Sequence, residues 1–182
     1  MINELKDFLD RSHSVYHAVA ELEEMLANAG YEKLNESQSW ELLPGGKYYL
    51  TRSGSAVIAF RIPQDRPAGF LISASHSDHP AFKVKENGEL AGKYTRLATE
   101  PYGGMILSTW LDRPLSIAGR VLVETETGVE SRLIDLDRDL LVIPNVAIHM
   151  NRKCNDGMAW NVAVDTLPLV GGENAAGKLG SL

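Results

Sequence analysis

The sequence predicts an α/β chain: a first part that mixes helices and strands, and a second part built from short strands alone. Three observations carry that prediction. A long amphipathic helix pattern follows Ser14, an apolar run at residues 69–75 reads as a strand covered on both faces, and short β-type segments recur about every ten residues beyond residue 116.

Taken in order, residues 3–10 place Leu5, Phe8 and Leu9 at spacings of three and four, which is one face of a short helix. Arg11-Ser12-His13 breaks it. Ser14 supplies the hydroxyl of an N-cap, which accepts from an amide that the first turn leaves orphaned. Val15, Ala18, Val19, Leu22, Leu26 and Ala29 then recur at helical spacing as far as Gly30, whose freedom at positive φ suits the end of a helix. Glu21, Glu23 and Glu24 read as its solvated face.

After Pro44-Gly45-Gly46 the pattern becomes extended. KYYLT (47–51) and AVIAF (56–60) are rich in aromatic and β-branched residues, and Arg52-Ser53-Gly54-Ser55 supplies the turn of a hairpin. A turn over 63–67 leads into GFLISAS (69–75), which is apolar on both faces for most of its length and so predicts a buried central strand. Gly103-Gly104 opens the second part. Residues 116–124, 131–136, 140–143 and 146–150 follow as short strands, the pattern of a small sandwich or barrel. The stretch 171–180 has little to bury and reads as loose.

Composition excludes several classes of function. The 182 residues are 44% hydrophobic, enough for a core, and Lys+Arg 18 against Asp+Glu 24 leaves a net charge of -6. Nucleic-acid grooves and anionic membrane surfaces need clustered Lys and Arg, so neither is expected as a partner. No apolar run approaches the roughly 20 residues that cross a bilayer. The start, Met1-Ile2-Asn3-Glu4, turns polar at once, unlike a secretory signal, and the single Cys154 has no intramolecular disulfide partner. A cytoplasmic location is the expectation.

The cluster with chemical promise is Ser75-His76-Ser77-Asp78-His79-Pro80, at the C-terminal end of the predicted central strand. Ligands gather at that end of an α/β sheet. In extended chain, residues i and i+2 share a side, so His76 and Asp78 face one site together: the imidazole as a metal ligand, the carboxylate as the group that orients it. His79 points the other way on the same alternation. His13 and His17, at the start of the second helix, read as structural. His149 lies in the strand-like run Val146-Ala147-Ile148-His149-Met150, where a half-buried, hydrogen-bonded role competes with a functional one. The chain has no Gly-x-Ser-x-Gly, P-loop, Gly-x-Gly-x-x-Gly, Cys-x-x-Cys or His-Glu-x-x-His, and Cys154 has no adjacent base. A metal-independent hydrolase using Ser75 is disfavoured, because neighbours i and i+1 point apart on a strand.

Five stretches together resemble the aspartyl aminopeptidase family of dinuclear-zinc exopeptidases. They are FLDRSHSVYHAV (8–19), LLPGGKYYLTR (42–52), ISASHSDHPAFKVK (72–85), YGGMILSTWLDRPLSIAGRV (102–121) and IPNVAIHMNR (143–152). The Ser-His-Ser-Asp and Ser-Thr-Trp-Leu-Asp-Arg blocks are the most specific of them.

The resemblance implies a role for each matching residue. His76 matches the first zinc ligand, Asp78 the catalytic-site carboxylate that steadies its imidazole, and His149 a histidine that reaches a neighbouring subunit's active site to bind substrate. It implies two zinc ions per complete site, a peptide substrate with an N-terminal Asp or Glu, and self-association through a β-rich domain. In fold, it implies the first part of a zinc-peptidase α/β domain over residues 1–98, followed over 99–182 by part of a mostly β inserted oligomerisation domain. The family's remaining metal ligands and its general base have no counterpart in this sequence. The chain is therefore expected to be an N-terminal fragment, inactive alone. The competing expectation is a non-catalytic folding or assembly module built on the β insertion.

Overall fold

The computed structural model describes residues 2–66 and 69–181, so the end of the predicted turn at Pro67 lies outside the described residues. In chain order the elements are α1 (Ile2–Arg11), α2 (Val15–Asn28), β1 (Glu32–Lys33), β2 (Lys47–Arg52), β3 (Ala56–Arg61), β4 (Ala81–Leu90) and β5 (Tyr94–Tyr102). They continue with β6 (Ala118–Thr125), β7 (Gly128–Asp135), α3 (Val162–Asp165) and β8 (Leu169–Gly172). Two compact units result: Met1–His79 with Ala118–Ile134, and Pro80–Ile117 with Asp135–Leu182. The partition expected at residue 98 concerns the domains of a whole family member, and these groupings within the chain do not address it.

In the first unit, α2 forms where its caps predict. The Ser14 hydroxyl accepts from the His17 amide, and the other end closes with Tyr31 N donating to Leu26 O and Gly30 N to Ala27 O. That crossed pair is a Schellman motif, and Gly30 meets its left-handed requirement at φ 77°. Ala18 and Val19 of α2 are buried, as are Tyr48, Tyr49 and Leu50 of β2, and together they form this unit's core. β2 lies between β1, parallel, and β3, antiparallel, in a register running from Lys47↔Arg61 to Arg52↔Ala56. The predicted hairpin is thus present. Its turn has Ser53 at φ 55° and Gly54 at φ 65°, with Ser55 N donating to Arg52 O, which is type I′ geometry.

β6 and β7 form a two-stranded sheet in the same unit. Arg120 of β6 fastens it: the guanidinium stacks 4.2 Å from the Tyr16 ring centre and donates to Ser53 O at 2.7 Å.

The predicted buried strand at 69–75 is not found. Phe70, Leu71 and Ile72 are 93%, 103% and 81% exposed, and the run has no ladder partner among the described residues. Apolar composition states a demand for cover; it does not supply the neighbouring strands that would meet it.

In the second unit, β5 runs between β4 and β8, antiparallel to both. This sheet holds Leu97, fully buried, and a second buried layer, Leu141 and Ile143, bridges to Leu115 and Leu111. Thr95 and Thr166 are buried with their hydroxyls donating to Gly172 O and Val162 O. Phe82 meets Trp110 edge-on at 5.1 Å. β4 carries a wide irregularity: its pairing passes from Val84↔Thr99 to Glu89↔Leu97, so residues 85–88 stand opposite Ala98 alone.

Residues 146–150, predicted as a strand, instead form an exposed turn in which Met150 N donates to Ala147 O. The reason lies just upstream. Asp112, at φ 55°, donates its amide to Ile143 O and accepts Asn145 N on its carboxylate, and Val146 N in turn donates to the Asn145 side chain, so the chain enters 146–150 with its amides bonded to side chains and not to a strand. No helix among the described residues is long and apolar enough to cross a membrane.

Candidate metal centre around His76

His76 and Asp78 do come together. His76 Nδ1 lies 2.8 Å from Asp78 Oδ1 and 2.9 Å from Asp78 O, and since both oxygens only accept, Nδ1 carries the proton. That tautomer leaves Nε2, with its lone pair, as the free ligating atom. The imidazole side chain is 81% exposed, so a ligand reaches it unhindered. Ser77 and His79 point elsewhere: Ser77 Oγ donates to Ser55 O at 3.3 Å, and His79 Nε2 bonds Ser12 O at 3.1 Å. Ser77 and His79 thus bond to parts of the chain that His76 does not, although burial does not alternate along the segment: His79 is exposed and Asp78 half-buried.

The hydrogen bond to the Asp78 carboxylate raises the His76 pKa above the ordinary imidazole range, with the Asp78 carbonyl and charge adding to it. A raised folded-state value means that this pair supports the fold fully at pH below the unfolded imidazole value, and the support fades as pH rises through the folded one. In a metal-free NMR titration His76 should therefore titrate above a histidine in a short peptide, and Asp78→Asn should bring it back down. Equal midpoints in the two proteins would show that Asp78 does not act on the ring.

Among the described residues no group of three or more His, Cys, Asp or Glu side chains is arranged to hold a metal ion. His76 fits one corner of a zinc site and no more, since zinc takes three or four protein ligands. His149 lies in the second unit, exposed, within the 148–150 turn; the half-buried strand position read from its neighbours is not where it sits. A hollow of about 430 Å³ in the first unit is lined by Gly45, Lys47, Tyr48 and Gln64 among others, and contains none of these residues. The bonds of Ser77 and His79 went unread in the sequence, because both go to backbone carbonyls distant in the chain, Ser55 O and Ser12 O.

The fold is mixed α/β, and among the described residues the one group arranged as a metal-binding imidazole is arranged is His76, steadied by Asp78. The comparisons with known proteins give the family. Residues 8–180 match the model of the aminopeptidase I zinc metalloprotease (M18) family, and the chain belongs to that family. It is 46% identical over 173 residues to a probable M18 family aminopeptidase 2 of Clostridium acetobutylicum, a match covering 92% of this chain and 40% of the relative. It is also similar to a chain of the Ape4 and Nbr1 complex, at TM-score 0.86 and 39% identity over 94% of this chain and 34% of that one. The yeast mApe1 dodecamer is a third likeness, at TM-score 0.74 and 27% identity, covering 92% of this chain and 37% of its own. The chain thus spans 40% of the length of the curated relatives it matches first.

Proposed function

We propose that this chain carries the first zinc ligand, His76, and its steadying carboxylate, Asp78, of an aminopeptidase that removes N-terminal Asp or Glu from peptides at a dinuclear zinc site. The observation that carries this reading is the 2.8 Å bond from His76 Nδ1 to Asp78 Oδ1, which fixes the tautomer a metal-binding imidazole needs. Bound zinc supplies Lewis acidity toward the peptide carbonyl. Asp78 holds the ring in place and offsets the positive charge gathered there, while His149 contacts the substrate of a neighbouring subunit. Self-association through the β-rich part is in keeping with the dodecamer formed by the yeast relative.

One imidazole does not make a two-zinc centre, so the chain alone is expected to be inactive. Purified with added zinc, cobalt or manganese, it should release no product from Asp- or Glu-peptides. Metal-dependent turnover that persists through repurification would overturn this reading. The second reading, an assembly module, is favoured by Leu122 and Val129, each 70% exposed on the β6–β7 sheet. A concentration-dependent oligomer that Leu122→Lys dissolves, without any response of His76 to zinc, would select it.

A further inference from the structure

We propose that Asn87 is a site of covalent self-modification: it deamidates through a cyclic imide formed with Gly88, and the isoaspartyl product releases the tail that Glu89 holds. Asn87-Gly88 is the only Asn-Gly pair in the sequence, and every other asparagine precedes a residue that carries a Cβ. That difference matters because ring closure needs the following amide nitrogen to reach the side-chain carbonyl carbon, and a Cβ next to that nitrogen hinders the approach. The fold leaves the pair open. Residues 85–88 stand opposite Ala98 alone, so Asn87 lies where the β4–β5 ladder is interrupted, exposed and at φ 51° in place of extended backbone. Asparagine tolerates that left-handed angle better than most residues do.

The reaction needs only base and water. The Gly88 amide gives up its proton to base and its nitrogen attacks Asn87 Cγ; the new N–Cγ bond closes a five-membered succinimide, and the side-chain nitrogen leaves, reprotonated, as ammonia. Because the attack is intramolecular, an unactivated amide suffices. Water then opens the ring. Cleavage at Cγ returns an ordinary aspartate, whereas cleavage at the α-carbonyl carbon leaves the main chain running through the side chain, one atom longer. The bulge has no slack for that atom, since even a Cβ on Gly88 would stand 2.7 Å from Lys85 O and 3.1 Å from Ala98 O, both backbone. Lengthening the chain ahead of Gly88 displaces Glu89, whose carboxylate accepts from Gly177 N and Leu179 N. The isoaspartyl residue thus unclasps residues 177–179 from β4.

The test holds the whole chain, folded, in mildly alkaline buffer and draws samples over time, beside a set denatured in guanidinium chloride. Peptide mapping by mass reads the exchange of the side-chain NH2 for OH at residue 87, an isoaspartyl methyltransferase counts the rearranged product, and NMR follows amide exchange at Gly177 and Leu179. The folded chain should lose the Asn87 amide before any other asparagine amide, giving isoaspartate as well as aspartate. The two tail amides should exchange faster in step with the isoaspartate, while Leu97 on β5 stays protected. Asn87→Gln, whose ring would need six members, should show neither change. Freshly purified Asn87→Asp, which has the new charge on an ordinary main chain, should keep both tail amides protected. A folded chain whose Asn87 is intact when the denatured chain has converted would overturn the site. Conversion to aspartate alone, converted chain with tail amides as slow as in fresh protein, or Asn87→Asp freeing them by itself would overturn the release through a lengthened main chain.

Discussion

Leu97→Ala is expected to destabilise the second unit by roughly 2–5 kcal/mol, the range for truncating a fully buried leucine. Leu97 has no exposed surface and sits on β5, the middle strand of its sheet. Its amide donates to Pro168 O at 2.9 Å, so the backbone around it is fixed by the chain that leads into β8. A site tied on both edges cannot collapse onto the missing methyls, and a cavity remains. Urea unfolding followed by tryptophan fluorescence in a Trp40→Phe background, which leaves Trp110 and Trp160 of this unit as the reporters, would measure the loss. Ile106→Ala in the same unit is the control, because a residue 71% exposed should change stability by no more than about 0.5 kcal/mol. A Leu97→Ala effect as small as the control's would show that the β5 core is not packed as described.

Gly88→Ala should cost about 1–3 kcal/mol, as overpacking does in a filled site. A Cβ at this position would stand 2.7 Å from Lys85 O and 3.1 Å from Ala98 O. Both are backbone atoms, which cannot swing aside as the tip of a side chain does. The clash falls inside the β4 irregularity, where Asn87 already adopts φ 51°, and relief requires residues 85–88 to shift. That shift has a reporter. Glu89, the next residue, accepts from Gly177 N and Leu179 N, so the exchange of those two amides should quicken in the variant along with the fall in melting temperature. A variant as stable as wild type, with those amides still protected, would refute the close approach.

What was legible in the sequence follows the range of the interaction that decides each feature. The ends of α2 were readable because caps are settled within a few residues: Ser14 and Gly30 each act on their own turn. The hairpin at 47–61 was readable for the same reason, its turn being written in Ser53-Gly54. The His76–Asp78 pair needed only a spacing of two. Residues 69–75 were misread because burial depends on partners distant in the chain, and His149 because Asp112 redirects the backbone from more than thirty residues upstream. The β4–β5 hairpin was not read at all. Tyr94-Thr95-Arg96-Leu97-Ala98-Thr99 alternates clearly, but its partner's alternation is interrupted at 85–88, so the period-two signal of β4 breaks in the middle.

The open run at Phe70, Leu71 and Ile72 also sets a kinetic contest. An uncovered apolar segment, without a ladder partner among the described residues, is quenched by whichever complementary edge reaches it first. Capture by an edge tethered to the same polypeptide is first order and indifferent to how much protein is present. Capture by another copy is second order, so its share grows with every increase in expression level. The usable lifetime of the free chain should therefore shorten as its concentration rises, and dilution, more than cooling, should be what preserves it.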